Sequence, residues 1–255
     1  MKTLWNSCKA AFSMFSRIPM PRTDWSGESQ RYLFCFFPWV GLVIGALEIA
    51  FFHVSSRLCL NRFFTGMVFT MIPVLVTGGI HLDGLMDTSD AISAWADREK
   101  RLSIMKDSHA GGFAVIACCC WFAVMIGSAS QFSGEWASVV LFALSFVQAR
   151  CLSAVGVLMI PGANPKGTAA SFAVQAERKK VLAVLGVYLC LLLAGNLLTA
   201  PCKGAAVFCL QFIVFFMYRK MALKYFGGTT GDVAGFFLCV CEGASAFLLA
   251  LLHSF

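Results

Sequence analysis

Long apolar runs broken by short polar stretches set the pattern of this chain. Seven runs stand out, at 33–55, 62–80, 113–130, 137–160, 181–200, 204–218 and 233–253. At roughly 15 to 24 residues each, they have the length of bilayer-crossing helices. No segments alternate with the period of two that a barrel strand needs. A spanning backbone must also satisfy its own hydrogen bonds, so the runs predict α-helices. The sixth run is short, and Arg219 and Lys220 just beyond it can extend it by snorkelling. Ahead of the first run, Leu4, Trp5, Cys8, Ala11, Phe12 and Phe15 recur at helical spacing. They predict a short helix, lying in the membrane interface or packed on the bundle. Lys9 and Arg17 interrupt that stretch, which therefore does not read as a secretory leader. The expected fold is an all-α polytopic integral membrane bundle of about seven transmembrane helices with an N-terminal interfacial helix. It forms one membrane-embedded domain over 1–255, with no tandem repeat or low-complexity tract.

Composition agrees: 59% of the residues are hydrophobic and only 13% charged, about half of what a soluble domain carries. Charge then orients the helices. If the N-terminus faces the cytoplasm, sixteen Lys and Arg fall on that side, clustered around Lys2–Arg31, Arg98–Lys106, Lys166–Lys180 and Arg219–Lys224. Three (Arg57, Arg62 and Lys203) fall opposite, and Arg150 lies within a run. The positive-inside rule favours that arrangement. The net charge of +7 is then a consequence of topology, attracting anionic membrane lipid and phosphates rather than nucleic acid. The twelve cysteines lie mostly in apolar runs without paired zinc spacing and read as small packing residues. Arg150, Glu242 and Glu48 also fall within runs, where ionisable residues are functional or are paired between helices.

Candidate chemistry concentrates just after the second run, in "HLDGLMDTSD" at 81–90. On a helix, Asp83, Asp87 and Asp90 occupy one arc of about 60°, with Asp83 and Asp87 about 6 Å apart along the axis. Like charges on one stripe call for a cation, and oxygen ligands without thiolates favour Mg²⁺, with Mn²⁺ and Ca²⁺ as alternatives. Asp90, about 10.5 Å from Asp83 along the axis, suits a further ion or a proton-accepting role. Asp97, about 21 Å along an uninterrupted helix, stays outside the cluster as a solvated charge. "RLSIMKDSHAGG" brings Lys106, Asp107, Ser108 and His109 to the mouth of the third run, a cation and hydroxyl suited to phosphate. "YFGGTTGDVAG" places Thr229, Thr230 and Asp232 before the last run.

These stretches carry a resemblance. "TGGIHLDGLMDTSDAISAWADREKRLSIMKDSHAGGFAV" at 77–115 resembles the signature of the cobalamin synthases, the adenosylcobinamide-GDP ribazoletransferase family. "FSRIPMP" at 15–21, "FPWVGLVIG" at 37–45 and "GGTTGDVAG" at 227–235 match in the family's order. The chain departs from the family pattern at Ile92, His109, Ala110 and Cys239. The resemblance implies a Mg²⁺-dependent membrane enzyme of late cobalamin biosynthesis. It would join adenosylcobinamide-GDP to α-ribazole, or its 5′-phosphate, and release GMP. Its implied address is the cytoplasmic (inner) membrane, with the active site on the cytoplasmic side. Asp83, Asp87 and Asp90 become the expected metal ligands and, with Asp107, the catalytic candidates. His81, Arg98, Lys106, Ser108, Thr230 and Asp232 become substrate-binding candidates. Whether the protein forms a homo-oligomer or associates with other cobalamin-assembly enzymes stays open. The rivals are a CDP-alcohol phosphotransferase, which would need an AR pair after its DG, and a cation-coupled transporter, whose acids belong near the bilayer midplane.

Overall fold

The computed structural model describes residues 2–253 apart from 24, 26, 108 and 166. Among these, the chain forms α1 (Lys2–Phe15), α2 (Gly27–Gln30), α3 (Leu33–Arg57), α4 (Arg62–Thr77), α5 (Ile80–Ser93) and α6 (Arg98–Ile104). There follow α7 (Gly112–Phe132), α8 (Trp136–Met159), α9 (Thr168–Gln175), α10 (Arg178–Thr199), α11 (Pro201–Phe226) and α12 (Gly231–His253). The described residues hold no strand beyond one isolated bridge between Gly162 and Thr229. α3, α7, α8, α10, α11 and α12 are each long and apolar enough to cross a membrane. The chain is thus a polytopic helical membrane bundle.

α8 runs through the middle: 78% of its apolar stretch is buried in the protein, against 22% for α10, which faces outward. Glycines let α3 lie directly on α8. A Cβ on Gly41 would stand 2.6 Å from the Phe146 carbonyl oxygen, and one on Gly45 2.8 Å from that of Ala143. Backbones that approach this closely gain packing that lipid cannot supply. Polar side chains join the other helices. Gln148 Nε2 donates to the Phe208 carbonyl, Gln211 Nε2 to the Ser145 carbonyl and Ser245 Oγ, and Trp121 Nε1 to the Cys239 carbonyl. Arg150 and Glu242 pair at 2.9 Å between α8 and α12, both buried, while neither carboxylate oxygen of buried Glu48 has a hydrogen-bond partner among the described residues.

Three expectations change. The second run ends early because Gly78 and Gly79 both adopt the left-handed conformation, at φ 66° and 80°. Glycine enters that region without steric cost. α4 stops there and α5 leaves at 93° to it, lying across one end of the bundle instead of continuing the crossing. The sixth run grows to 26 residues, with Pro201 in the first turn of α11 and exposed Arg219, Lys220 and Lys224 near its far end. Proline suits a helix start because that N–H lacks an intrahelical partner anyway. Lastly, no continuous helix joins Asp87 to Asp97. α5 ends at Ser93, and the exposed Asp97 caps α6 through the Lys100 N–H at 2.9 Å. The N-terminal helix packs on α3 through Cys8, Ala11 and Phe12, leaving Leu4 and Trp5 exposed.

Candidate active site

Starting at the glycine elbow, α5 packs its own glycine face onto the first turns of α12. A Cβ on Gly84 would lie 2.6 Å from the Asp232 carbonyl oxygen, and one on Gly235 3.3 Å from the His81 backbone. Asp83, Asp87 and Asp232 are thereby drawn into one electrostatic neighbourhood. Burial first, then the charges of Asp83, Asp232 and Asp90, push the Asp87 carboxyl up to about 6. Such repulsion is what a bound dication relieves. Thr230 supports the arrangement: its hydroxyl accepts the Val233 N–H at 3.1 Å and reaches Asp232 Oδ2 at 3.5 Å. Among the described residues, no three His, Cys, Asp or Glu side chains form a ready metal cage.

Asp90 is differently engaged. Its carboxylate accepts the Gly111 N–H at 2.6 Å and the Ala114 N–H at 2.8 Å, holding the start of α7 against α5. A carboxylate at a helix N-terminus also meets the positive end of the helix dipole.

Beside the acids opens a cavity of about 630 Å³. Asp83, Lys106, Thr229, Thr230 and Asp232 are part of its polar wall, and Phe15, Phe34, Phe37 and Phe172 part of its apolar wall. His81 lines it too. Its ring centroid is 6.0 Å from that of Phe37, and its buried Nε2 has no hydrogen-bond partner among the described residues. Burial, then the Arg150 charge, hold this imidazole well below its usual range. Thr229 closes the wall from behind: its hydroxyl meets the Tyr218 hydroxyl at 2.5 Å, and its N–H donates to the Pro161 carbonyl. The glycine-rich stretch at 225–235 marks Thr229 in the sequence, but its contacts with Tyr218 and Pro161 do not follow from spacing.

Other candidates stand apart. Asp107 faces solvent, its carboxyl held below the usual range by the side-chain and backbone hydrogen bonds of His109. Arg98 donates through Nη2 to the Ala163 carbonyl at 3.2 Å, tying α6 to the 161–167 loop. Ser108 lies outside the described residues. The aromatic wall was missed altogether, since its members come from α1, α3 and α9 and share no motif.

Comparison with known proteins adds the rest. Residues 7–252 match the family model described as cobalamin-5-phosphate synthase. A Lachnoclostridium phytofermentans protein named adenosylcobinamide-GDP ribazoletransferase is 39% identical over 237 residues, 93% of this chain and 90% of its own. Proteins of the same name from Clostridium botulinum (strain Alaska E43 / Type E3) and Geobacillus kaustophilus are 29% and 31% identical. Those alignments cover 98% and 100% of this chain, and 99% and 98% of theirs. No solved structure matches.

Proposed function

The chain belongs to the cobalamin-5-phosphate synthase family, and from that premise we propose that the acidic end of α5 is the centre at which adenosylcobinamide-GDP is joined to ribazole. A hydroxyl of α-ribazole, or of its 5′-phosphate, attacks the phosphorus that bears the cobinamide arm. GMP leaves, and the product is adenosylcobalamin or its 5′-phosphate. The observation that carries this reading is the glycine-packed crossing of α5 and α12, which gathers Asp83, Asp87 and Asp232 beside a cavity of about 630 Å³.

Mg²⁺ fits these residues: the donors are all hard oxygens, and burial together with neighbouring like charge already penalises the Asp87 carboxylate. Asp83 and Asp87 would hold it, with substrate phosphates completing the coordination. Bound there, the ion would offset the charge of the pyrophosphate and of departing GMP. Asp83, which lines the cavity wall together with Asp232, would also accept the proton of the attacking hydroxyl. Lys106, in the same wall, steadies phosphate oxygens, and Thr230 orients Asp232. Asp90 acts through backbone, fixing α7 against α5. The lysine and arginine asymmetry supports a cytoplasmic position for this end of the bundle, where nucleotide substrates are found. The relatives described above lend no support to a CDP-alcohol phosphotransferase or a transporter.

The decisive assay incubates purified protein with adenosylcobinamide-GDP, α-ribazole and Mg²⁺ and follows GMP and the corrinoid product. Stoichiometric appearance of both is expected. A folded preparation that releases no GMP overturns the reading.

A further inference from the structure

Among the described residues, only His81 lines both the 630 Å³ cavity and a much smaller space of about 10 Å³ within the bundle. Thr77, Trp121, Arg150, Cys239 and Glu242 border that smaller space. It adjoins the buried ion pair of α8 and α12. Arg150 is fully buried and uses one nitrogen, Nη1, to reach Glu242 Oε1 at 2.9 Å and the Phe146 carbonyl at 3.0 Å. Its Nε and Nη2 have no hydrogen-bond partner among the described residues, and neither has His81 Nε2. Two rings hold the imidazole plane. Phe15 stacks on it with centroids 6.5 Å apart, and Phe37 meets it edge-on at 6.0 Å. A buried ion pair is a poor device for stability alone, because desolvation offsets its attraction. Its place beside His81 suggests a second use.

We propose that Arg150 is a positioning residue: with one water in the smaller space it fixes His81 as the Nδ1–H tautomer, so that the ring offers a hydrogen-bond donor to a phosphate oxygen in the substrate cavity. The identity of that acceptor rests on the transfer reaction proposed above. The smaller space has room for about one water, and a buried water is held by several polar partners. Three unpaired nitrogens belong to the residues around it. A guanidinium can only donate. The N–H groups of Arg150 Nε and Nη2 fill both lone pairs of the water, which is then left to donate to His81. Nε2 therefore accepts, and the ring proton resides on Nδ1. Direct contact between guanidinium and ring leads to the same assignment. A histidine side chain free in water favours the proton on Nε2, so the buried arginine reverses the intrinsic preference. Glu242 holds the guanidinium in place and balances its charge. The effect is felt at the acidic stripe, because His81 stands two residues before Asp83 and its backbone faces Gly235 of α12.

Ring-nitrogen NMR tests the tautomer independently of turnover. In protein whose other histidines, His53, His109 and His253, are replaced by glutamine, the His81 proton is expected on Nδ1. A proton on Nε2, or on both nitrogens, overturns the inference. Kinetics test its use. Removing one member of a buried pair strands the other charge, so Arg150→Met is combined with Glu242→Gln. This double variant should move the ring proton to Nε2 and lower kcat for GMP release by about 10²-fold, with KM held within about twofold. His81→Asn keeps a donor at the Nδ1 position without help from Arg150, whereas the amide of His81→Gln lies at the Nε2 position. His81→Asn should therefore be the more active of the two, and adding the double substitution to it should cost no more than about twofold. The opposite order, or an equal loss in both backgrounds, means that the pair only braces the helices and overturns the inference. Should the double variant fail to fold, the NMR result on protein retaining Arg150 decides alone. A folded wild-type protein that releases no GMP overturns the transfer reaction and leaves the tautomer to be decided by NMR.

Discussion

At Asp87 a single carboxylate feels the rest of the site: burial and three neighbouring aspartates hold it near 6. A proton and Mg²⁺ therefore compete for it, and the sign follows from which form binds metal. Only the carboxylate does, so Mg²⁺ affinity should be flat above pH 7 and fall about tenfold per unit below pH 6. Titration of Mg²⁺-dependent GMP release at pH 5.0, 6.0 and 7.5 reads this out, and an unchanged half-saturating Mg²⁺ across that range would refute it. Asp83→Asn should lower GMP release by about 10³-fold or more with the fold retained, since it removes both ligand and proton acceptor. Asp90→Ala tests a different role. Losing the two bonds to Gly111 and Ala114 should cost about 1–2 kcal/mol of stability, seen as a lower thermal midpoint in detergent. The acidic stripe was legible because 3.6-residue periodicity is a local property. That Asp90 is bound to the start of α7 was not, because its partners follow 21 and 24 positions later along the chain.

Between elements, the crossing of α5 over α12 depends on a missing side chain. Gly84→Ala places a methyl 2.6 Å from the Asp232 carbonyl oxygen, a backbone atom that cannot rotate away, so α5 must shift. Displacement of reacting groups by about 1 Å costs on the order of 10²-fold in rate. Gly84→Ala should therefore lose about that much turnover with unchanged helix content by circular dichroism. Gly235→Ala, whose nearest contacts are at 3.3 Å, should lose distinctly less. Equal losses would show that close packing is not what aligns the carboxylates. The "TGG" at 77–79 marked the end of a helix in the sequence, but the 93° turn did not follow from composition. It arises from two consecutive left-handed glycines, and glycine permits that geometry without demanding it.

Across the whole molecule, apolar run length is a summed quantity, which is why the helical bundle is legible in the sequence, and the bias of basic residues, also a sum, sets its expected orientation. The substrate-sized cavity could not be read that way: Phe15, Phe34, Phe37 and Phe172 look like any other apolar residues until α1, α3 and α9 bring them to one wall. Orientation itself makes a chemical prediction. Cys59 follows α3 and Cys202 opens α11, both exposed, at the bundle end remote from the acidic cluster. Exposed Cys119, Cys120, Cys190 and Cys209 lie within spans and meet lipid. A membrane-impermeant maleimide should therefore label right-side-out vesicles through Cys59 and Cys202 alone, and the double serine variant should lose that signal. Asp97→Cys, on the cluster side, should then label only in inverted vesicles. Labelling of Cys59 from the inverted side would turn the acidic cluster to the exterior and remove the cytoplasmic source of its nucleotide substrate.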